Sequence, residues 1–140
     1  MHANEARVRA LLDRIHAGDV SGIDPADHFT PDATYEPLVP VVPAINGRDA
    51  IVAEIARQLA VYSDLHAEIH VVVADDRHVF TERTDHASFP NGKRVSVPLM
   101  AIFELTPDGL ISAWREIFDS RSAEQQIGVD PVEMAKIMGQ

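Results

Sequence analysis

Three charged residues in the second half of the chain occupy positions where strand periodicity calls for apolar ones. Arg83 and Asp85 sit two apart in VFTERTDHASF, so alternation sends both to the face shared by Val79, Thr81 and Ala87. The next stretch, KRVSVPLMAIFEL, offers that face Val95, Val97, Leu99, Ala101 and Phe103. In the third, LISAWREIFD, Glu116 is flanked on its own side by Trp114 and Phe118. Burying charges among such neighbours is costly unless they are partnered, and an arginine can hold two carboxylates at once in fixed geometry. Apolar surroundings favour the protonated form of one carboxyl while the other, kept ionised, takes a proton from water. That pairing can open a strained ring, with water pushing and an acid pulling. The competing reading is a buried ion-pair network kept for structural specificity.

Whether the three meet depends on register. The joints Pro90-Asn91-Gly92 and Pro107-Asp108-Gly109 both carry the residue order of a type I turn closed by a left-handed glycine. A three-residue first loop pairs Phe89 with Lys93, Arg83 with Leu99 and Asp85 with Val97. A four-residue loop Thr106–Gly109 then sets Glu116 beside Leu99, in the row of Arg83. A shorter loop turns it to the far face unless a bulge offsets it. The far-face choice would expose Trp114 and Phe118, forgoing roughly 2–3 kcal/mol of burial each, and bring Arg115 and Asp119 inside. The expected arrangement is therefore one cavity holding Arg83, Asp85, Tyr35 and Glu116, lined by Leu12, Ile15, Val97, Leu99, Trp114 and Phe118.

The rest of the chain must build that cavity. Apolar Val8, Leu11, Leu12 and Ile15 predict an amphipathic helix over Ala3–Ala17, and Asp24 predicts a cap for a short helix Pro25–Phe29. A short strand Asp32–Pro37 carries Tyr35. The prolines of EPLVPVVPA keep it out of any central strand and suggest a cover for the cavity mouth. Asn46 with Asp49 reads as the start of a helix with the stripe Ile51, Ile55, Leu59, Tyr62. In the strand Leu65–Ala74, Ala67, Ile69, Val71 and Val73 share one face and His66, Glu68 and His70 the other. After Asp119 a helical segment runs to about Gln126, and Asp130-Pro131 caps a last helix through Met138. Pro98 in mid-strand predicts a bulge or bend. Helices followed by a strand meander imply an α+β fold, with helices on one face of a sheet.

At 140 residues the chain is expected to be one domain, 1–140, with 128–140 as a C-terminal extension. Zero cysteines exclude disulfides and thiolate chemistry, and a formal charge of −10 argues against nucleic acid or an anionic membrane as partner. No long apolar run or leader pattern is visible, so a cytoplasmic protein is expected. The seven glycines are scattered, with no phosphate loop and no cofactor implied. His66, His70 and His86 are read as solvated, with no metal site. Apolar residues on the outer sheet face (Phe80, Met100, Ile102, Ile111 and Ile117) predict a homodimer through that face.

Three stretches, ATYEPLVPVVPAINGRDAI, FTERTDHASFPNGKR and IFELTPDGLISAWREIFDSR, carry a resemblance to the limonene-1,2-epoxide hydrolase family, within the SnoaL-like and NTF2-like cone fold. The likeness spans roughly Asp32 to Gln126. It implies a strongly curved mixed or antiparallel sheet wrapped around N-terminal helices, and hydrolysis of a small apolar epoxide without cofactor. By resemblance, Asp85 is the acid, Arg83 the bridge, Glu116 the base in place of the family's aspartate, and Tyr35 a holder of the water. Pro37 replaces the asparagine that would also hold it. These two departures leave open a SnoaL-like isomerase, cyclase or dehydratase using the carboxylate as base, or a cone that only binds a hydrophobic ligand.

Overall fold

A computed structural model describes residues 1–137. Helices α1 (Ala3–His16), α2 (Pro25–His28), α3 (Arg48–Val61), α4 (Ser120–Ile127) and α5 (Pro131–Ile137) pack with strands β1 (Phe29–Glu36), β2 (Ile45–Asn46), β3 (Ser63–Ala74), β4 (His78–Ser88), β5 (Arg94–Leu105) and β6 (Ile111–Phe118). The strands form a single sheet in the order β2-β1-β6-β5-β4-β3. All neighbours are antiparallel except β1 and β6, which run parallel. The fold is α+β with a curved, mixed sheet, as the sequence implied. Among the described residues no helix is long and apolar enough to cross a membrane.

Side-chain chemistry explains where the elements start. Asp24 accepts from the Ala26 amide and opens α2, while Asp119 accepts from Arg121 and Ser122 and opens α4. The expected start of α3 is different. Asn46 pairs with Thr34 in β2, and the cap is Gly47 at φ 93°, with no side-chain bond. Only glycine tolerates that backbone easily, so the turn from β2 into α3 displaces the predicted Asn46 cap. The core gathers Val8, Leu11 and Leu12 of α1, Ile51 and Ile55 of α3, and the inward residues of the sheet, among them Phe29, Phe103 and Trp114.

Bulges correct the simple alternation. The Pro90 loop is three residues, Phe89 bonds Lys93, and β4–β5 pairing runs unbroken with Arg83 opposite Leu99 and Asp85 opposite Val97. No bulge occurs at Pro98, which pairs with Thr84 inside that regular ladder. Register shifts occur instead on β1, β3 and β6, and two of them, on β3 and β6, change which residues face the core. On β3 the pairing steps between Ile69 and Val71, so Val72 and Ala74 turn to the core while Val71 and Val73 are exposed, the reverse of the expected phase. On β6 the Pro107 loop is the short one, with Thr106 bonded to Leu110, and the ladder slips between Glu104 and Leu105. The extra residue is Ser112, whose hydroxyl donates to the Glu104 carbonyl.

The Ser112 bulge has two effects. Ile111 and Trp114 both point inward although three residues apart, so Ile111 is a core residue at 3% exposure and not part of the outer face. Beyond the bulge Glu116 is opposite Ala101 and Phe118 opposite Leu99. Glu116 is therefore one row along from the expected position, next to Thr81 and not Arg83, but on the expected face.

The C-terminal segment lies against the cavity. Met134 and Ile137 of α5 line it, and the Arg57 guanidinium on α3 donates to the Ile137 carbonyl. Met138, expected in the last helix, lies outside the described residues.

Candidate active site

The concave side of the sheet and helices α1, α3, α4 and α5 enclose a cavity of about 170 Å³. Its walls include all six expected lining residues, Leu12, Ile15, Val97, Leu99, Trp114 and Phe118, together with Tyr35, Pro37, Arg83, Asp85 and Glu116. An apolar cavity of about 150 Å³ accommodates a molecule the size of benzene, so this one suits a small ring.

Arg83 is the hub. Its side chain is 2% exposed, yet each guanidinium nitrogen donates a hydrogen bond. Nε donates to Asp85 Oδ1 at 2.9 Å and Nη2 to Asp85 Oδ2 at 3.3 Å. Nη2 also reaches diagonally to Glu116 Oε2 at 2.5 Å, and Nη1 donates to Thr81 Oγ1 at 3.1 Å. Thr81 shares the inward face of β4, and alternation alone places it there. Burial works against the Arg83 charge, but the carboxylates of Glu116 and Asp85 outweigh it and raise its pKa above the ordinary value.

Glu116 is held from three sides. Trp114 Nε1 donates to Oε2 at 3.2 Å, beside Arg83, and the Tyr35 hydroxyl donates to Oε1 at 3.4 Å. The loop after β1 extends the parallel ladder, the Val39 amide donating to the Glu116 carbonyl at 3.0 Å. Tyr35 and Trp114 stack with centroids 4.1 Å apart, which fixes the indole edge toward the carboxylate. Oε2 is thus committed to two donors, while Oε1 has one long contact and capacity left for a ligand proton. Burial raises the Glu116 pKa above the usual carboxylate range, with the Arg83 cation opposing and the Asp85 charge adding. Tyr35 is raised well above its ordinary value, by burial first and the Glu116 charge next, so it stays a neutral donor.

A pH dependence follows. The folded pKa of Glu116 lies above its ordinary 4.5, so its favourable contribution to stability is complete below that value and lost as pH rises through the folded one. Glu116→Gln is therefore expected to melt above the unaltered protein near neutral pH, with the gap closing toward about pH 4. A gap of constant size from acid to neutral pH would contradict the raised pKa.

The histidines read as solvated pair with one another and with Glu68, although His86 also borders the cavity. On the outer face His86 Nε2 meets Glu68 Oε2 at 3.0 Å, and the His66 and His86 rings stack at 5.9 Å. Among the described residues no group of three or more His, Cys, Asp or Glu is placed to hold a metal. Sequence reasoning missed His16, Arg57 and Gln58 in the cavity wall, and Met134 and Ile137 at its C-terminal side. His16 follows the apolar stripe of α1 directly, and that spacing could have revealed it.

Residues 8–114 match the model of the SnoaL-like domain. The chain belongs to that family. Solved structures of similar shape carry the NTF2-like architecture. An LEH-like epoxide hydrolase of M. tuberculosis is 25% identical, with a TM-score of 0.72 over 88% of this chain and 90% of that one. SalBIII, an epoxide hydrolase/cyclase-like enzyme of pyran ring formation in the polyether salinomycin, is 22% identical, with a TM-score of 0.73 over 85% and 92%. A protein of Shewanella denitrificans provisionally designated a SnoaL-like polyketide cyclase is 12% identical, with a TM-score of 0.80 over 91% and 98%. For this SnoaL-like chain the last two likenesses establish the fold.

Proposed function

We propose that this SnoaL-like domain hydrolyses a small apolar epoxide to a diol without cofactor. The observation that carries this reading is the single buried arginine bridging two carboxylates in an apolar cavity. Asp85 delivers a proton to the epoxide oxygen as its carbon–oxygen bond breaks. Water attacks the carbon and gives its proton to Glu116 Oε1. Arg83 and Trp114 occupy Oε2, so Oε1, bonded to the Tyr35 hydroxyl alone, keeps lone pairs to accept the proton of water. The extra methylene of Glu116, relative to an aspartate, lets the carboxylate reach from β6 to a water that no asparagine holds.

The test is incubation with a panel of cyclic and terpene epoxides in ¹⁸O-labelled water, with diol read by mass spectrometry. One labelled oxygen per diol is expected. A folded protein giving no diol above background removes the proposal.

Pro37 favours a second reading, a cyclase, isomerase or dehydratase. It lines the cavity at the position where the resemblance calls for asparagine and offers no donor to water. Glu116 would then remove a proton from the substrate itself, either an internal hydroxyl or a carbon next to a carbonyl. Binding of phenolate mimics with a spectral shift, in a protein inactive on epoxides, would select it.

We also propose that the chain works as a homodimer through the outer face. Met100 and Ile117 stand 50% and 58% exposed beside half-buried Phe80 and Ile102, an apolar area that a second copy would cover. Sedimentation is expected to give a dimer at micromolar concentration and a monomer for Ile117→Lys. A monomeric unaltered protein would end this assignment.

A further inference from the structure

His16, the last residue of α1, lines the cavity with its side chain 14% exposed. Its Nδ1 lies 2.7 Å from the Leu12 carbonyl. A carbonyl only accepts, so Nδ1 carries hydrogen in every protonation state, and only Nε2 can gain or lose a proton. Nε2 is aimed at Asp85, 3.9 Å from Oδ1. That is beyond hydrogen-bond length, and such contacts tighten when a ligand closes a site. Arg83 meanwhile donates to both Asp85 oxygens, so His16 is the neighbour of Asp85 that can exchange a proton with it.

We infer that His16 supplies the proton that Asp85 delivers. Resting on the hydrolytic reading above, the cycle balances as follows. The imidazolium breaks its Nε2–H bond as Asp85 forms O–H. Asp85 passes that proton to the epoxide oxygen while the ring carbon–oxygen electron pair moves to oxygen. Water forms the new carbon–oxygen bond and loses a proton to Glu116. His16 regains a proton from solvent and Glu116 releases one, so each turnover consumes only epoxide and water. The titratable and charged groups that line the same cavity are Arg83, Asp85 and His86 on β4, Glu116 on β6, Tyr35 on β1, and Arg57 and Tyr62 from α3 and its cap, with Asp13 on the helix of His16.

The experiment compares pH–rate profiles of diol formation for the unaltered protein and His16→Gln, whose amide can still donate to the Leu12 carbonyl. In the Gln variant the alkaline limb is expected to move to acid by about one pH unit or more, with the rate near neutrality lowered at least ~10-fold. Imidazole added to the buffer restores that rate. A variant slowed equally at all pH values, or not slowed at all, overturns the inference, and melting curves establish that it is folded. If no epoxide is turned over, the hydrolytic reading fails by itself, and the pairing is read by NMR. The His16 titration midpoint is expected to fall by about half a unit or more in Asp85→Asn, which removes a facing negative charge. An unmoved midpoint overturns the pairing.

Discussion

Glu116→Gln is expected to lower diol formation by about a thousandfold while leaving the cavity intact, the middle of the range for losing a positioned base. The amide keeps an oxygen for Arg83 or Trp114, both of which donate to the carboxylate now, and the volume is unchanged. Affinity for an unreactive ligand should therefore stay within about threefold, and the loss should fall on kcat. The same substitution removes a carboxylate that burial disfavours, so the inactive variant should also be the more thermostable near neutral pH. Stability gained as activity is lost is the signature of a strained functional group. Comparable turnover by the Gln variant would show that Glu116 is not the base. An equal fall in ligand affinity would show a collapsed site.

Arg83→Ala should have the largest effect on the fold. It leaves Asp85 and Glu116 facing each other in an apolar cavity with their cation gone. Breaking a buried pair from one side costs about 3–5 kcal/mol, on the order of 10 °C in melting temperature for a chain of this size. Arg83→Lys retains charge but not the fork that serves Asp85, Glu116 and Thr81 together, and should recover only part of the stability. The informative control replaces all three ionic groups (Arg83→Met, Asp85→Asn, Glu116→Gln), which should melt well above Arg83→Ala because no charge is left unpaired. If Arg83→Ala melts within a degree or two of the parent, the ion network is not holding the cone together.

Much of this arrangement was legible because it depends on parity. Arg83, Asp85 and Thr81 share a face by alternation, and Pro90-Asn91-Gly92 sets the β4–β5 register without ambiguity. Trp114 and Phe118 could not both be turned outward, which committed Glu116 to the cavity. What escaped was whatever one unremarkable residue controls. Ser112 and the step at His70 have no side-chain chemistry that announces a bulge, yet they moved Glu116 by one row, brought Ile111 inside and turned Val71 and Val73 out. Gly47 capped α3 through its backbone, where a search for capping side chains pointed to Asn46. His16 was overlooked although it continues the apolar stripe of α1, whereas the α5 contacts depend on how distant segments pack, which no local period encodes.

Trp114 is the only tryptophan in the chain. It is stacked between Tyr35 and Phe103, with its indole nitrogen on Glu116. The protein therefore carries its own optical reporter at the centre of the site. Emission excited selectively from indole arises from one ring, in one environment, a bond away from the group whose protonation matters. Ligand entry, ionisation of Glu116 and unfolding each change a different property of that light: intensity, its dependence on pH, and wavelength. All three can be followed in the unlabelled protein before any substrate has been found.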